Sequence, residues 1–317
     1  MRAIVGFVVL VCTIACSSVS FAGTGRLIAI GDEWLLSDLA FTAQPAQTTQ
    51  LTDNISKFFT DGIPSRMLVW STSPPVGGNV RGVLGTGLKN RMQALGHTWE
   101  VNPSITFTPA NLRNYRAIFL SGGWSSGTLA TLEAYLRDGG NVLVMAGTGD
   151  WGSAAAEASA WNPFLNKFGL AFGNTWFAAG SGLLSVPTLP SGNPLGKLLT
   201  NVQWGYGQTV TKTQANNPLV EIAVYGDFTG FSPLLGTGAV QPIIGTLNIT
   251  TKCIGDLNDD GIVDDADFVI FVQAYNLLLC DDPAMPAGCP SDFNGDGMVD
   301  DADFSIFIQP YDLPICL

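Results

Sequence analysis

Two acidic segments near the end of this 317-residue chain repeat one twelve-residue pattern. The first, DLNDDGIVDDAD, covers residues 256–267, and the second, DFNGDGMVDDAD, covers residues 292–303. Each has Asp, Asn and Asp at positions 1, 3 and 5, glycine at position 6, and aspartates at positions 9 and 12. Because the spacing recurs and not only the composition, the pattern argues against a chance acidic turn.

Oxygen atoms at this spacing are the ligands that calcium prefers. A calcium ion takes about six to eight oxygens, and a twelve-residue loop supplies them from positions 1, 3, 5, 7, 9 and 12. The sequence therefore predicts two calcium ions, with position 7 contributing its backbone carbonyl. The predicted ligands are Asp256, Asn258, Asp260, Ile262, Asp264 and Asp267 in the first loop, and Asp292, Asn294, Asp296, Met298, Asp300 and Asp303 in the second.

Each loop leads into an apolar-rich segment predicted to be a helix, residues 266–279 and 302–308, and no helix is predicted to enter either loop. This duplicated, EF-hand-like loop and helix, with aspartate at position 12, resembles the type I dockerin family over residues 253–317. Dockerins are calcium-folded modules that attach secreted enzymes and other proteins to cohesin domains, often in polysaccharide-degrading assemblies. The resemblance implies a cohesin-like or cell-surface partner.

The same resemblance implies which residues face the partner. Loop positions 10 and 11 contact the cohesin in that family, and here they are Asp265, Ala266, Asp301 and Ala302. The two copies are identical at these positions, which implies a module able to bind in either of two orientations. The chain departs from the family pattern in its acidic residues at position 10 and in its cysteines.

Four cysteines, Cys253, Cys280, Cys289 and Cys316, lie in the same segment. Zinc ligation is one interpretation, but the spacings are wide and no CxxC pair occurs, so disulfide bonds in an oxidising compartment are favoured. Four cysteines allow three pairings. The antiparallel helices implied by the dockerin resemblance favour Cys253 with Cys316 and Cys280 with Cys289.

Residues 1–22 have the pattern of a secretory signal peptide. Arg2 precedes an apolar run over residues 3–15, and Ser20 and Ala22 form a small-x-small cleavage site. Lipidation at Cys16 is the alternative, although Thr13 stands where a large aliphatic residue is expected. We expect a secreted protein, extracellular or at the cell surface. No other stretch reaches the ~20 apolar residues that a membrane span requires.

Charge is unevenly distributed along the chain. Residues 253–317 contain 14 of the 26 acidic residues and no lysine or arginine, while residues 1–252 contain 12 acidic and 14 basic residues. The net charge of -12 therefore belongs to the predicted calcium module. This distribution favours cation binding and argues against nucleic acid as a partner, because phosphates require a basic face.

Residues 23–250 are predicted to form an α/β domain. Apolar strand-like segments alternate with helix-like ones, which is typical of a parallel sheet covered by helices on both faces. The predicted strands are residues 26–31, 67–70, 98–101, 117–120 and 141–145. The predicted helices are residues 54–59, 88–95, 129–137 and 154–168, the first capped by Thr52 and Asp53 and the last broken at Pro163. Residues 180–207 predict long loops with additional β-strands.

The segments YRAIFLSGG (residues 115–123) and NVLVMAGTG (residues 141–149) resemble the class I glutamine amidotransferase-like fold over residues 24–170. The resemblance implies a flavodoxin-like parallel sheet. In that family a cysteine follows the second strand and a histidine lies downstream. Here Ala146 and Gly147 occupy the turn and no histidine follows His97. The resemblance therefore implies the fold without the amidotransferase triad.

Three loops are expected to meet at the carboxyl ends of the parallel strands, where such sheets bind ligands. They are residues 31–34, 121–124 and 147–151. Glycoside hydrolysis needs two carboxylates across a sugar ring. The candidate catalytic residues are Asp32, Glu33, Asp150 and Glu157. The alternative is that these carboxylates are helix caps or solvated charges.

Three functions remain open at this point. One is a secreted calcium-binding protein whose module docks a non-amidotransferase domain onto its partner, in a polysaccharide-degradation context. Another is a carbohydrate-active hydrolase of O-glycosyl bonds delivered by the same module, and in either of these cases carbohydrate is a possible ligand of the large domain. The third is a calcium-stabilised module that never meets a cohesin and only clamps the end of the chain or cell-surface material.

Overall fold

The computed structural model describes residues 25–71, 82–122, 128–178, 183–229, 240–249, 255–258, 263–286 and 288–311. Several sequence-based expectations concern residues outside these ranges. They are the signal peptide, the calcium ligands Asp260 and Ile262, the boundary between the two predicted domains, and the pair Cys253 and Cys316.

Strands over residues 26–248 build the larger part of the structure. Their bounds are β1 (Arg26–Ile30), β2 (Arg66–Ser71), β3 (Thr98–Val101), β4 (Ala117–Ser121), β5 (Asn141–Met145), β6 (Leu170–Phe172), β7 (Phe177–Ala178), β8 (Leu184–Leu189), β9 (Asn201–Trp204), β10 (Tyr206–Gly207), β11 (Val210–Lys212), β12 (Val220–Asp227) and β13 (Val240–Asn248). Nine of them form one sheet in the order β3-β2-β4-β5-β1-β13-β12-β8-β9. β6 pairs with β11 and β7 with β10.

The first five strands in this order are parallel to their neighbours, as the sequence predicts. The other four continue the sheet with antiparallel pairs, starting with β13 against β1. The result is a mixed α/β fold: the predicted parallel arrangement is confirmed for the first five strands, and the other four are antiparallel, a direction that was not predicted. Residues 184–248 supply the antiparallel strands, and short apolar runs of this kind do not reveal strand direction.

Helices cover both faces of the sheet. Their bounds are α1 (Asp38–Ala43), α2 (Pro45–Thr60), α3 (Thr86–Ala94), α4 (Pro109–Leu112), α5 (Leu129–Arg137) and α6 (Ala154–Leu165). Ile28 and Leu143 point to the face packed by α2 and α3, while Leu27 and Val142 point to the face packed by α5 and α6. This alternation follows from the two-residue repeat of a strand, and it confirms the predicted covering on both faces.

Two helix predictions are wrong, one in the first residue of the helix and the other in an expected break. α2 begins at Pro45, not behind Thr52 and Asp53, because proline is well suited to the first helical position. α6 continues through Pro163 to Leu165 and then a 3-10 turn, so the predicted break at Pro163 does not occur. The proline lacks an N–H and removes one helical hydrogen bond, but its fixed φ is compatible with a helix.

Residues 263–311 contain two further helices, α7 (Asp265–Leu277) and α8 (Asp301–Tyr311), each following an acidic loop as predicted. Phe271 of α7 and Phe307 of α8 stack with ring centroids 5.0 Å apart. The buried core of this unit is small and consists of Val263, Phe271, Ala274, Met285, Val299 and Phe307. A core of this size needs other stabilisation, such as disulfide bonds or metal ions.

Among all the described residues, no helix is long and apolar enough to cross a membrane.

Candidate functional site

The second acidic loop, residues 292–303, holds its own side-chain oxygens by hydrogen bonds to its backbone. Asp292 Oδ1 accepts the N–H groups of Gly295 (2.7 Å) and Asp296 (3.2 Å), and its Oδ2 accepts that of Gly297 (2.9 Å). Asn294 Oδ1 accepts the N–H of Asp296 at 2.8 Å. These bonds fix the oxygens of positions 1 and 3 relative to the loop. Gly297, at position 6, has a φ of +87°, which confirms that the turn uses a conformation favourable to glycine.

Asp303, at position 12, closes this loop. Its side chain is fully buried. Its Oδ1 accepts the N–H groups of Phe293 (2.7 Å) and Asn294 (3.1 Å), and its Oδ2 accepts that of Asp300 (3.0 Å). One carboxylate therefore joins the beginning of the loop to its end.

The first loop repeats this arrangement in the residues that the structure describes. Asp267 is fully buried, and its Oδ1 accepts the N–H groups of Leu257 (2.7 Å) and Asn258 (3.0 Å). Its Oδ2 accepts the N–H of Asp264 at 3.0 Å. Each bond has its counterpart at the residue 36 positions later. The duplicated sequence thus produces duplicated hydrogen bonding, and the buried position 12 aspartates are central to both loops.

The donor set of these loops fits calcium. At every predicted ligand position except position 7, which contributes its backbone carbonyl, the side chain offers a carboxylate or amide oxygen, the hard ligand that calcium prefers. Two of these carboxylates are fully buried, and residues 253–317 contain no lysine or arginine to neutralise them. Burying negative charge without a compensating cation is costly. A divalent cation would supply that compensation.

The residues predicted to face a partner lie at the start of each helix. Asp265 and Asp301 are exposed, and each accepts a hydrogen bond from a tyrosine at the end of the other helix. Tyr275 Oη donates to Asp301 Oδ1 at 2.6 Å, and Tyr311 Oη donates to Asp265 Oδ1. Two reciprocal bonds of this kind make α7 and α8 an antiparallel, pseudo-twofold pair. Ala266 and Ala302 follow these aspartates and are exposed.

Cys280 and Cys289 form a disulfide bond, with their Cα atoms 5.3 Å apart. This is one of the two pairs implied by the dockerin resemblance. The bond joins the end of α7 to the segment before the second loop, and residues nearby are further tied by a bridge between Leu279 and Met298.

At the carboxyl end of the sheet, two of the candidate carboxylates hold loops together. Asp32 is fully buried, and it accepts the N–H groups of Trp34 (3.0 Å) and Gly205. Glu157, also fully buried, accepts the N–H of Gly147 at 2.9 Å and the hydroxyl of Thr148 at 2.7 Å. Both side chains thus accept hydrogen bonds from the backbone of the turns next to them.

Residues 204–208 cover this end of β1 and β5. The N–H of Gln208 donates to the carbonyl of Gly31 at 2.7 Å, and its side chain donates to Glu157. A Cβ atom at Gly205 would lie 2.3 Å from the Trp34 ring, and one at Gly207 would lie 2.6 Å from Asp32 Cβ. Glycine at both positions lets the segment pack this closely. This covering segment was not predicted from the sequence, in which its only signal was the pair Gly205 and Gly207.

Glu33 lies in a second buried polar group between the ends of β2 and β4. Glu33, Ser71 and Ser121 are nearly or fully buried, and the two serine hydroxyls are 2.8 Å apart. A Cβ at Gly82 would lie 3.3 Å from Glu33 Oε2 and 3.5 Å from Ser121 Oγ. The structure therefore brings the first and second predicted loops together here. Ser121 belongs to the second predicted loop, whereas Ser71 was not predicted, because a strand-terminal serine carries no distinctive sequence signal.

Asp150 differs from the other three candidates, because it is exposed in the turn after β5. Asp32, Glu33 and Glu157 are fully buried. Burial raises the pKa of Glu157, and the hydrogen bonds from Thr148 and Gly147 act in the opposite direction. This burial favours a structural role for the three carboxylates. Glycoside hydrolysis stays a prediction.

Comparisons with protein-family models and with curated protein sequences found no match. Among solved structures, the chain shows a weak likeness to a putative peptidase E protein from Listeria monocytogenes EGD-e, with 13% sequence identity and a TM-score of 0.29. The matched region covers 44% of this chain and 66% of that one, just under two thirds of its length.

Proposed function

We propose that this protein is a secreted calcium-binding protein whose C-terminal module, residues 253–317, folds around two calcium ions and docks the α/β domain onto a cohesin-like or cell-surface partner. A polysaccharide-degrading assembly is the proposed setting, as in the dockerin family. The α/β domain lacks the cysteine and histidine of an amidotransferase and serves the assembly in another way.

The observation that carries this proposal is the repeated hydrogen bonding of Asp267 and Asp303. In each loop a buried aspartate binds the backbone of positions 2, 3 and 9. Two loops with the same spacing and the same internal bonds are expected to bind the same kind of ligand. Hard oxygen ligands and a local excess of negative charge support calcium as that ligand.

Calcium titration of the oxidised full chain tests the metal sites. We expect two ions per chain for the wild type and one ion each for Asp260→Ala and Asp296→Ala, because each substitution removes a charged ligand from one loop. Asp281→Ala is the control, since this exposed aspartate lies between the loops. Wild-type protein that binds no calcium, or loss of an ion in the Asp281 variant, would contradict the assignment.

Docking requires a separate test, because calcium binding alone does not identify a partner. The full chain should capture a protein from the surface fraction of the producing cells with calcium and not with a chelator. If the module binds in two orientations, Ala266→Arg or Ala302→Arg alone should leave capture largely intact, and the double variant should abolish it. Capture that persists in the double variant would refute these positions as the docking surface.

A further inference from the structure

A cavity of about 930 Å³ lies at the end of the sheet opposite to the predicted active site. Arg26, the first residue of β1, and Asn248, at the end of the antiparallel β13, contribute to its wall. The end of α2 and the loop between β8 and β9 complete it. The volume lies in the range of small-molecule sites, about 300–1,000 Å³. None of the candidate catalytic or calcium-binding residues lines this cavity.

The polar groups of the wall are held in fixed positions. Arg26 Nε donates to Asn248 Oδ1 at 3.3 Å, and its Nη1 donates to Asp61 at 2.9 Å and to the carbonyl of Phe58. On the other side, Asn193 donates to Glu221 at 2.6 Å. Asn193 also donates to Thr246 at 3.2 Å. Such preorganised groups reduce the cost of ordering a site around a ligand.

The charges that line the cavity leave a small positive excess. Arg26, Lys57 and Lys197 are cationic, and Asp61 and Glu221 are anionic. Arg26 pairs with Asp61, while Lys57 and Lys197 form no ion pair among the described residues. The carbonyl end of α2 also lies here, and the helix dipole disfavours a high density of negative charge at that end. The balance suits a ligand with one negative charge and not a phosphate dianion.

Leu198, which also lines the cavity, has a strained backbone conformation. Its φ is +63°, a left-handed conformation that is rare for a branched apolar residue, and 69% of its surface is exposed. Asn54 of α2 holds the surrounding loop, because its amide donates to the carbonyls of Leu195 and Lys197, both at 2.9 Å. Backbone strain maintained by surrounding bonds is concentrated at ligand-binding sites. Here it presents an apolar side chain at the cavity.

We propose that this cavity binds a small acidic saccharide with one carboxylate, of the uronic acid type. Lys57 and Lys197 bind the carboxylate, and the fixed amide, guanidinium and hydroxyl groups bind the sugar hydroxyls. Leu198 packs against the apolar C–H face of the ring. The site lies in the α/β domain and involves no calcium ligand, so failure of the proposed docking function would not affect this proposal, and the reverse also holds.

Calorimetric binding to the calcium-loaded full chain tests the ligand class with three probes. They are a glucuronic acid-containing disaccharide with one carboxylate, a neutral disaccharide of the same size, and glucose 1-phosphate. We expect the acidic disaccharide to bind most tightly. Equal binding of the neutral disaccharide, tighter binding of the phosphate, or no binding of the acidic disaccharide would each overturn the proposal.

Two lysine variants place the binding in this cavity. Lys57→Gln and Lys197→Gln should each weaken binding of the acidic disaccharide about two- to fivefold, the effect expected for one partly exposed charge contact. Lys89→Gln, on α3 and outside the cavity, is the matched control and should bind like the wild type. An equal loss in the Lys89 variant would show that general surface charge is responsible and would overturn the assignment.

Leu198→Gly separates binding from folding. Glycine accepts the left-handed conformation, so this variant should be at least as stable as the wild type in urea. Its affinity for the acidic disaccharide should nevertheless fall, because the apolar contact is lost. Unchanged affinity in a stable Leu198→Gly protein would assign the leucine to loop structure alone and overturn its role in the site.

Discussion

Glu157 shows how single buried carboxylates organise the α/β domain. It accepts hydrogen bonds from the backbone N–H groups of Gly147 and Thr148, from the Thr148 hydroxyl, and from the Gln208 side chain. The first three groups belong to the turn after β5, and the last belongs to the segment that covers it. The carboxylate therefore connects two segments that are distant in sequence.

Glu157→Ala should destabilise the α/β domain by about 2–4 kcal/mol, because buried N–H groups of Gly147 and Thr148 lose their acceptor. Urea unfolding followed by tryptophan fluorescence measures this. Asp138→Ala is the control, since Asp138 forms an exposed ion pair with Arg113 that should contribute at most ~1 kcal/mol. Equal losses in the two variants would refute the structural role of Glu157.

His97 is expected to make the stability of the same domain dependent on pH. The imidazole is nearly buried, its Nδ1 accepts the N–H of Ser65 at 3.0 Å, and its Nε2 lies 2.7 Å from Ser56 Oγ. Burial lowers the pKa of His97 below its usual value. A backbone N–H can only donate, so Nδ1 must be unprotonated for this bond to form.

The sign of the pH effect follows from this shift. As pH falls below ~6.5, the unfolded chain binds a proton that the folded chain does not, so the free energy of unfolding should decrease. Above that pH the contribution should be constant. His97→Gln, which cannot titrate, should show a flatter dependence between about pH 7 and pH 5.5 in urea unfolding. Parallel profiles for the two proteins would contradict this prediction.

At the scale of elements, α2 shows both what the sequence could predict and where it failed. A helix ending near Phe59 was expected from its apolar spacing. Its beginning was misplaced because Thr52 and Asp53 have the residue types of a cap. In the structure Thr52 Oγ1 bonds to the carbonyl of Thr48, and Asp53 pairs with Arg91 of α3. The partner of Thr52 is local, but the partner of Asp53 is a tertiary contact that cannot be read from local sequence.

The features of the candidate sites were also predicted only in part. The spacing of the acidic loops specified local hydrogen bonds, and the buried roles of Asp267 and Asp303 follow from that spacing. Asp32 and Glu33 were placed correctly after β1, but Asp32 and Glu157 accept hydrogen bonds from Gly205 and Gln208, more than 40 positions from Glu157. A segment that folds over a site from a distance leaves little trace in the site's own sequence.

Two reciprocal tyrosine–aspartate hydrogen bonds join α7 to α8, in addition to the apolar contacts between them. Tyr275→Phe and Tyr311→Phe should each lower the thermal midpoint of the C-terminal module, and the double variant should lower it further. The aromatic stacking is retained in these variants, so only the hydroxyl contribution is removed. Tyr225→Phe in β12 is the control. Unchanged midpoints in both single variants and the double variant would show that these bonds contribute nothing to the pairing.

At the scale of the whole molecule, the described residues form separate apolar cores. Two clusters lie on the two faces of the sheet, within residues 27–249. The third, around Phe271 and Phe307, contains no residue before Leu257. The acidic charge is also concentrated in the third region, with 14 of 26 acidic residues. A difference in both core and charge predicts that the two regions respond differently to calcium.

Calorimetry of the full chain should therefore show two unfolding transitions, only one of which depends on calcium. Each ion that binds only the folded module stabilises it by about 2.7 kcal/mol when free calcium is a hundredfold above the dissociation constant. Chelation should lower the transition of the C-terminal module and leave that of the α/β domain in place. Reduction of the Cys280–Cys289 disulfide should act on the same transition, because both partners lie in the module. Glu157→Ala should do the reverse and lower only the transition of the α/β domain. A single transition that is lowered both by chelation and by Glu157→Ala would mean that the two regions unfold as one cooperative unit.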